Sequence, residues 1–277
     1  MLEKRNDNYN SWKPAHSYLI FTTLVIFQLW LAHAIAFFPH EFSHSTAAWL
    51  LGWKENPLAL NYGHPSAAIL LAQFGISENV NYTPIFINGH GMQAGIIAAA
   101  GMVIGNMLIT YSLSRWFYAI AKQRGSRTWV MFSYWLTVAS IGNFIDYVPV
   151  RTFADGGDMF TVAKGFACSP WLVLLVLGIP TLIGLLYFFL RIESQTLIWL
   201  FPESAAKRNI ILFLTAFIIF GFYGAAGWIE DCGPESRWIS IISVFAMVPL
   251  MTLFGWWRTK NILSNLSNSE NTIVFRF

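Results

Sequence analysis

The chain has 277 residues, of which 56% are hydrophobic, 17% aromatic and only 11% charged, and its mean hydropathy is +0.51. Ordinary soluble proteins carry about a quarter charged residues, so the composition excludes a soluble enzyme or binding module and indicates an all-α, multi-pass protein of the lipid bilayer. The net charge of +3 comes from basic residues scattered over loops, which argues against a nucleic-acid partner.

The first apolar run, Ser17–Phe38, is long enough for a membrane span and follows a polar N-terminal segment, residues 1–16. It has no small-residue cleavage site after it and reads as a retained span rather than a signal peptide. A second helix, His40–Gly52, follows at once. One straight helix over both would be about 54 Å long, so a bend is expected at Pro39, with His40–Gly52 lying near one membrane face. From Trp53 to Gly89 the chain is punctuated by Asn, Gly and Pro. It reads as a loop or small hairpin region, with Pro84–Ile87 as a short β-like stretch.

Five further spans are expected: His90–Tyr118, rich in Gly and Ala at its start, Trp129–Val148, Trp171–Leu190, Asn209–Trp228 and Trp238–Trp257. Between the third and fourth lie a polar stretch, Arg151–Asp158, and an apolar segment, Met159–Phe166. His90 reads as a polar boundary residue, and the polar tail, residues 261–277, as frayed. Lys4, Arg5 and Lys13, then Arg115, Lys122, Arg124 and Arg127, then Arg191, Lys207 and Arg208, and finally Arg258 and Lys260 fall at alternate ends of the spans. By the positive-inside rule, six spans with both termini cytoplasmic satisfy every loop.

Within this frame the run His40-Glu41-Phe42-Ser43-His44 carries the chemistry. On a helix, residues four apart share a face, so His40 and His44 can hold two corners of a tetrahedral Zn²⁺ while Glu41 serves as general base toward a water at the metal. Ionisable groups embedded between Ile35–Phe38 and Ala47–Leu51 are costly in or near lipid and are functional by default. A catalytic zinc takes a third protein ligand. The stretch from Asn143 to Asp158 offers Asp146, Asp155 and Asp158 at the same membrane face, Asp155 and Asp158 also being suited to cap a helix there.

These elements resemble the site-2-protease-type intramembrane zinc metalloproteases. The resemblance covers roughly residues 30–165 and makes residues 17–168 a metalloprotease-like core and 169–260 additional helices. In that family an H-E-x-x-H helix, a small-residue helix and an Asn-…-Pro-…-Asp-Gly stretch occur in this order. Here they correspond to His40–His44, Ala99–Asn106, and Asn143, Pro149 and Asp155-Gly156-Gly157-Asp158. Met102 stands where the middle element has Pro, Asn106 falls one position late, and the segment from Pro149 to the aspartates is longer than usual. The third ligand is therefore Asp158 or, alternatively, Asp155; Asp158 is favoured because it directly precedes the apolar run Met159-Phe160.

The expectation is a zinc endopeptidase acting on membrane-protein or membrane-adjacent peptide substrates, with Asn143 donating to the substrate or a developing oxyanion. The loop Trp53–Gly89 would offer an edge to an extended substrate. The alternatives are a non-catalytic, zinc-stabilised descendant of the fold and a metal transporter. The spans after residue 170 lack ionisable residues at mid-span, which argues against the transporter.

Overall fold

The computed structural model describes residues 12–229 and 232–274, so Met1–Ser11, and with them Lys4 and Arg5, lie outside the described residues. The described chain is helical throughout, its only strand-like pairing being an isolated antiparallel bridge between Asn61 and Ser77. Helix α1 runs from Trp12 to Leu50. Short helices α2, Ala67–Ala72, and α3, Tyr82–Ile87, follow in the connecting segment. Next come α4, Gly91–Gln123, and α5, Arg127–Ile145, extended by a wider π turn over Asp146–Val150. Helix α6 is Gly157–Gly165, α7 is Pro170–Leu200 and α8 is Ala205–Ile229. Helix α9 consists of the consecutive stretches Pro234–Ile242, Ser243–Met247 and Val248–Val274.

Five of these helices, α1, α4, α7, α8 and α9, are long and apolar enough to cross a membrane, which makes the protein a multi-pass membrane protein. Exposed Trp49, Trp171, Trp228 and Trp238 mark one end of the long helices, and exposed Trp116, Trp129, Trp256 and Trp257 the other, as expected of rings seated at the two membrane–water interfaces. The count of six is not reproduced. The segment expected as the third span, Trp129–Val148, is α5, and every residue from Val130 to Ile145 is buried by other protein. A helix that meets protein rather than lipid need not be uniformly apolar. This one carries Ser133, Thr137, Ser140 and Asn143, which lower its hydropathy.

Those polar groups hold the bundle together. Thr137 meets Ser114 of α4 at 3.0 Å, Tyr134 meets Thr215 of α8 at 2.7 Å, and Ser140 donates to the Asn106 carbonyl of α4 at 3.0 Å. Interhelical hydrogen bonds of this kind contribute about 0.6 kcal/mol each in membrane bundles. Around them pack Trp135, Tyr134, Phe188, Ile141 and Leu197, all fully buried.

Several expectations are corrected. There is no break at Pro39, and α1 is one helix of 39 residues. Its distal part is enclosed by protein: His40, Glu41, His44, Ser45 and Ala48 are buried. At the proline, Gly105 lies so close that a Cβ there would meet the Pro39 carbonyl at 2.5 Å. Pro84–Ile87 is helical, because Asn81 caps α3 by accepting the Thr83 N–H. The polar tail from Asn261 continues α9 as far as Val274. Glu193, placed beyond the fourth span by the sequence, lies inside α7 and is fully buried. This weakens the sequence argument against a transporter, but Glu193 sits at the far end of the bundle from His40, in electrostatic range of Arg258, and forms no path.

The connecting segment folds back alongside α1. The indole of Trp30 donates to the Leu70 carbonyl at 2.8 Å, and His33 Nε2 reaches the Ala72 carbonyl at 3.1 Å. Trp30 is about 30 Å along the helix from Leu50, so α2 reaches deep along the bundle. Its ends are satisfied locally, with Ser66 accepting the Ile69 N–H and Gln73 closing the helix in a left-handed conformation. Its exposed side chains, Leu70, Leu71 and nearby Phe74, are apolar, as lipid contact requires. At the base, the Lys54 ammonium donates to the carbonyls of Ala59, Glu78 and Asn79.

Helices α4 and α6 cross at glycines: a Cβ on Gly165 would stand 2.5 Å from the Gly91 carbonyl oxygen and 2.6 Å from the Gly95 nitrogen. Gly165→Val is therefore expected to destabilise the protein by about 1–3 kcal/mol through overpacking and to lower its thermal midpoint in detergent. An unchanged midpoint would contradict this close crossing.

Candidate metal centre

His40 and His44 lie one turn apart on α1, and Asp158 stands in the first turn of α6, after Gly156 in extended conformation and Gly157 at φ +81°. The structure brings these three side chains together. His40 Nε2 is 2.9 Å from His44 Nε2, and Asp158 Oδ2 is 3.0 Å from the first and 3.1 Å from the second. Both histidines are 1% exposed.

The surroundings orient each ring. His44 Nδ1 is 2.7 Å from the Ile97 carbonyl; a carbonyl only accepts, so Nδ1 carries a proton and Nε2 of the neutral ring presents a lone pair to the triangle. The His40 ring stacks on Tyr147, centroids 4.3 Å apart, and its Nδ1 is 3.2 Å from the Asn106 amide nitrogen. The Asn106 side chain is fully buried and its oxygen has no partner as placed. Turning the amide end for end lets that oxygen accept the His40 Nδ1 proton and leaves His40 Nε2 as a second lone pair. Gly101 makes room for the pair, since a Cβ there would lie 2.2 Å from His44 Nε2. Burial alone would raise the Asp158 carboxyl; protons on the imidazoles, standing where a cation would, hold it well below the usual carboxylate range by their charge and hydrogen bonds.

Two imidazole lone pairs and a carboxylate thus aim at one point, an arrangement that a cation completes. Ligands about 2.0–2.1 Å from a tetrahedral Zn²⁺ stand about 3.3–3.4 Å apart, so the triangle has the right size, a few tenths of an ångström tight. The donor set fits zinc, and other divalent ions that accept imidazole and carboxylate fit it as well.

The remaining sequence candidates are placed as follows. Asp155 is exposed and outside the triangle. Asp146 pairs with Arg151, Oδ1 to Nε 2.9 Å. His90 is exposed and tilted against Trp53. Glu41 is buried and faces a cavity of about 420 Å³, which Asn143, Tyr147 and Arg151 also line. Asn143 donates from its amide nitrogen to the Ala139 carbonyl at 3.1 Å.

Sequence reasoning missed His33, which lines the same cavity and takes the Tyr223 hydroxyl at 2.6 Å on Nδ1. It precedes His40 by seven residues, two helical turns, so the shared face was legible in the spacing. It also missed Tyr147, Ile97 and Glu78, the last in electrostatic range of Glu41 and His44. These depend on tertiary approach, and no local pattern marks them.

Comparison of the chain with protein-family models, curated proteins and solved structures finds no match.

The geometry separates the two candidate aspartates. Asp158→Ala is expected to lower zinc affinity by more than the roughly 10–100-fold that loss of an outer-shell partner causes, whereas Asp155→Ala leaves the metal content of the purified protein unchanged. Zinc lost from the Asp155 variant and kept in the Asp158 variant would reverse the assignment.

Proposed function

We propose that the protein is a membrane-embedded zinc endopeptidase, similar in mechanism to the site-2-protease-type enzymes that its motifs resemble. The observation that carries this reading is the position of Glu41: it lies between the two histidines on α1 and opens onto a cavity that Asn143 shares. A purely structural metal site needs no buried carboxylate beside it that also opens onto a cavity.

His40, His44 and Asp158 would hold the ion, which supplies Lewis acidity and a water acidified toward neutrality. Glu41 takes the proton of the attacking water and returns it to the leaving amine. Asn143 turns its amide from the Ala139 carbonyl toward the substrate carbonyl, donating as negative charge develops there. The substrate segment enters unwound, since a helical peptide bond is already paired and shielded. Gly75 and Ile76 line the cavity wall beside the Asn61–Ser77 bridge, and the Trp53–Gly89 segment that holds them is where an extended substrate would pair. The substrates are membrane proteins or peptides at the membrane surface.

Helix α5 also crosses the bilayer in this reading, sheathed by α1, α4, α7 and α8. Six crossings place both termini and the basic loops in the cytoplasm and the metal centre toward the opposite face. In a chain lacking Cys168 and Cys232, Lys122→Cys is expected to react with an impermeant thiol reagent only from the cytoplasmic side and Glu235→Cys only from the other. The reverse pattern would invert the topology.

Glu41→Gln is expected to keep its zinc and its thermal midpoint while peptide cleavage falls about 10²–10⁴-fold, read on labelled single-span peptides reconstituted with the protein. Full activity in this variant would remove Glu41 from the mechanism. A zinc-loaded parent protein that cleaves none of these peptides would favour the non-catalytic alternative.

A further inference from the structure

At the end of the bundle remote from the metal centre, a second cavity of about 560 Å³ opens between α4 and α7. Arg115, Tyr118 and Lys122 line it from α4, and Tyr187, Arg191 and Gln195 from α7. No carboxylate is among the lining residues. Tyr118 fixes the arrangement: its hydroxyl is 2.7 Å from that of Thr196 on α7, the Arg115 guanidinium lies over its ring at 4.5 Å, and the Lys122 ammonium lies 5.9 Å from the same centroid. Arg115 Nη1 is buried and has no hydrogen-bond partner. Three cations therefore converge on one hollow with donor capacity unspent, and the complement they lack is an anion.

The depth of the hollow indicates which anion. Exposed Trp116 and Tyr187 stand beside it, at the level where aromatic rings meet lipid headgroups. Below it, one turn and two turns from Arg191 on the same face of α7, come exposed Tyr187 and Ile183, and Leu108 is exposed on α4. A polar, cationic upper part thus continues into an apolar lower part, the profile of a phospholipid.

We propose that this pocket binds an anionic phospholipid. Its phosphate sits on the guanidinium groups of Arg115 and Arg191, which match phosphate oxygens in fork geometry. Lys122 contributes a point charge, Gln195 hydrogen-bonds the headgroup, and the acyl chains run down the α4–α7 groove. Basic pockets between spanning helices bind anionic headgroups in this way. The site is independent of the metal centre and of any activity there.

The test uses the full chain in nanodiscs of phosphatidylcholine alone or with phosphatidylglycerol, read by thermal unfolding and by native mass spectrometry of the lipid retained after extraction. Phosphatidylglycerol is expected to raise the unfolding midpoint and to be retained. In the Arg115→Gln/Arg191→Gln double variant retention is expected to fall by roughly thirtyfold. An Arg124→Gln/Arg127→Gln variant, which loses the same charge outside the pocket, is expected to behave as the parent. Equal losses in the two double variants, or no preference for phosphatidylglycerol in the parent, would overturn the proposal. Inorganic phosphate added to phosphatidylcholine discs is expected to leave the midpoint unchanged; a shift as large as that from phosphatidylglycerol would identify free phosphate as the ligand and overturn the lipid assignment. Should the pocket variant not fold, Arg115→Lys serves in its place: it keeps the charge and loses the fork, and retention equal to the parent's would overturn the role given to Arg115.

Discussion

The backbone of α4 must come within touching distance of α1, and the metal centre depends on that approach. Gly101 faces the two imidazoles and Gly105 faces the carbonyl of Pro39, so a side chain at either position would occupy the space the histidines need. Once the helices are this close, the Ile97 carbonyl can fix the His44 tautomer and the Asn106 amide can reach His40. The same device repeats where Gly165 of α6 meets Gly91 and Gly95, and this contact brings Asp158 to the histidines. In lipid, where apolar side chains gain little by leaving one apolar surface for another, close backbone approach lets helices associate through van der Waals packing beside their interhelical hydrogen bonds. Here it also defines the ligand geometry.

Much of this was legible in the sequence and some was not, and the difference follows the range of the interaction. The His40–Glu41–His44 spacing is local and survives any tertiary arrangement, as does the capacity of Asp158, beside Gly156 and Gly157, to begin a helix. The apolar runs were equally plain. The sequence misled where tertiary packing overrode a local rule. Pro39 forbids one hydrogen bond, yet the surrounding protein keeps α1 continuous. Asn81 turns the β-branched stretch after it into α3. The length and burial of α7 beyond Leu190 bring Glu193 inside.

Two separate chemistries share the bundle. At one end buried imidazoles and a carboxylate form a candidate cation site, and Glu41, between the two histidines in the chain, lines a cavity walled partly by the returning segment that includes α2. At the other, cations gather without a carboxylate among them. Between these ends α5 connects α1, α4, α7 and α8 through buried hydroxyls and aromatic rings.

The burial of α5 bears on how the protein is made. Its polar positions, Ser133, Thr137, Ser140 and Asn143, find partners or cover in the finished bundle, but two of the helices that sheath it are synthesised later. Thr215, the partner of Tyr134, lies 81 residues downstream. At about 5–20 residues per second, ribosomes take roughly 4–16 s to reach it. Until α7 is made, α5 has only α1 and α4 beside it, and if it crosses the bilayer as proposed it is a poor candidate for free release into lipid. A sixth crossing by α5 would therefore call for it to be retained by the insertion machinery, or shielded by α1 and α4, until α7 and α8 emerge. The glycine contacts between α1 and α4 would then serve the nascent chain before they serve the metal.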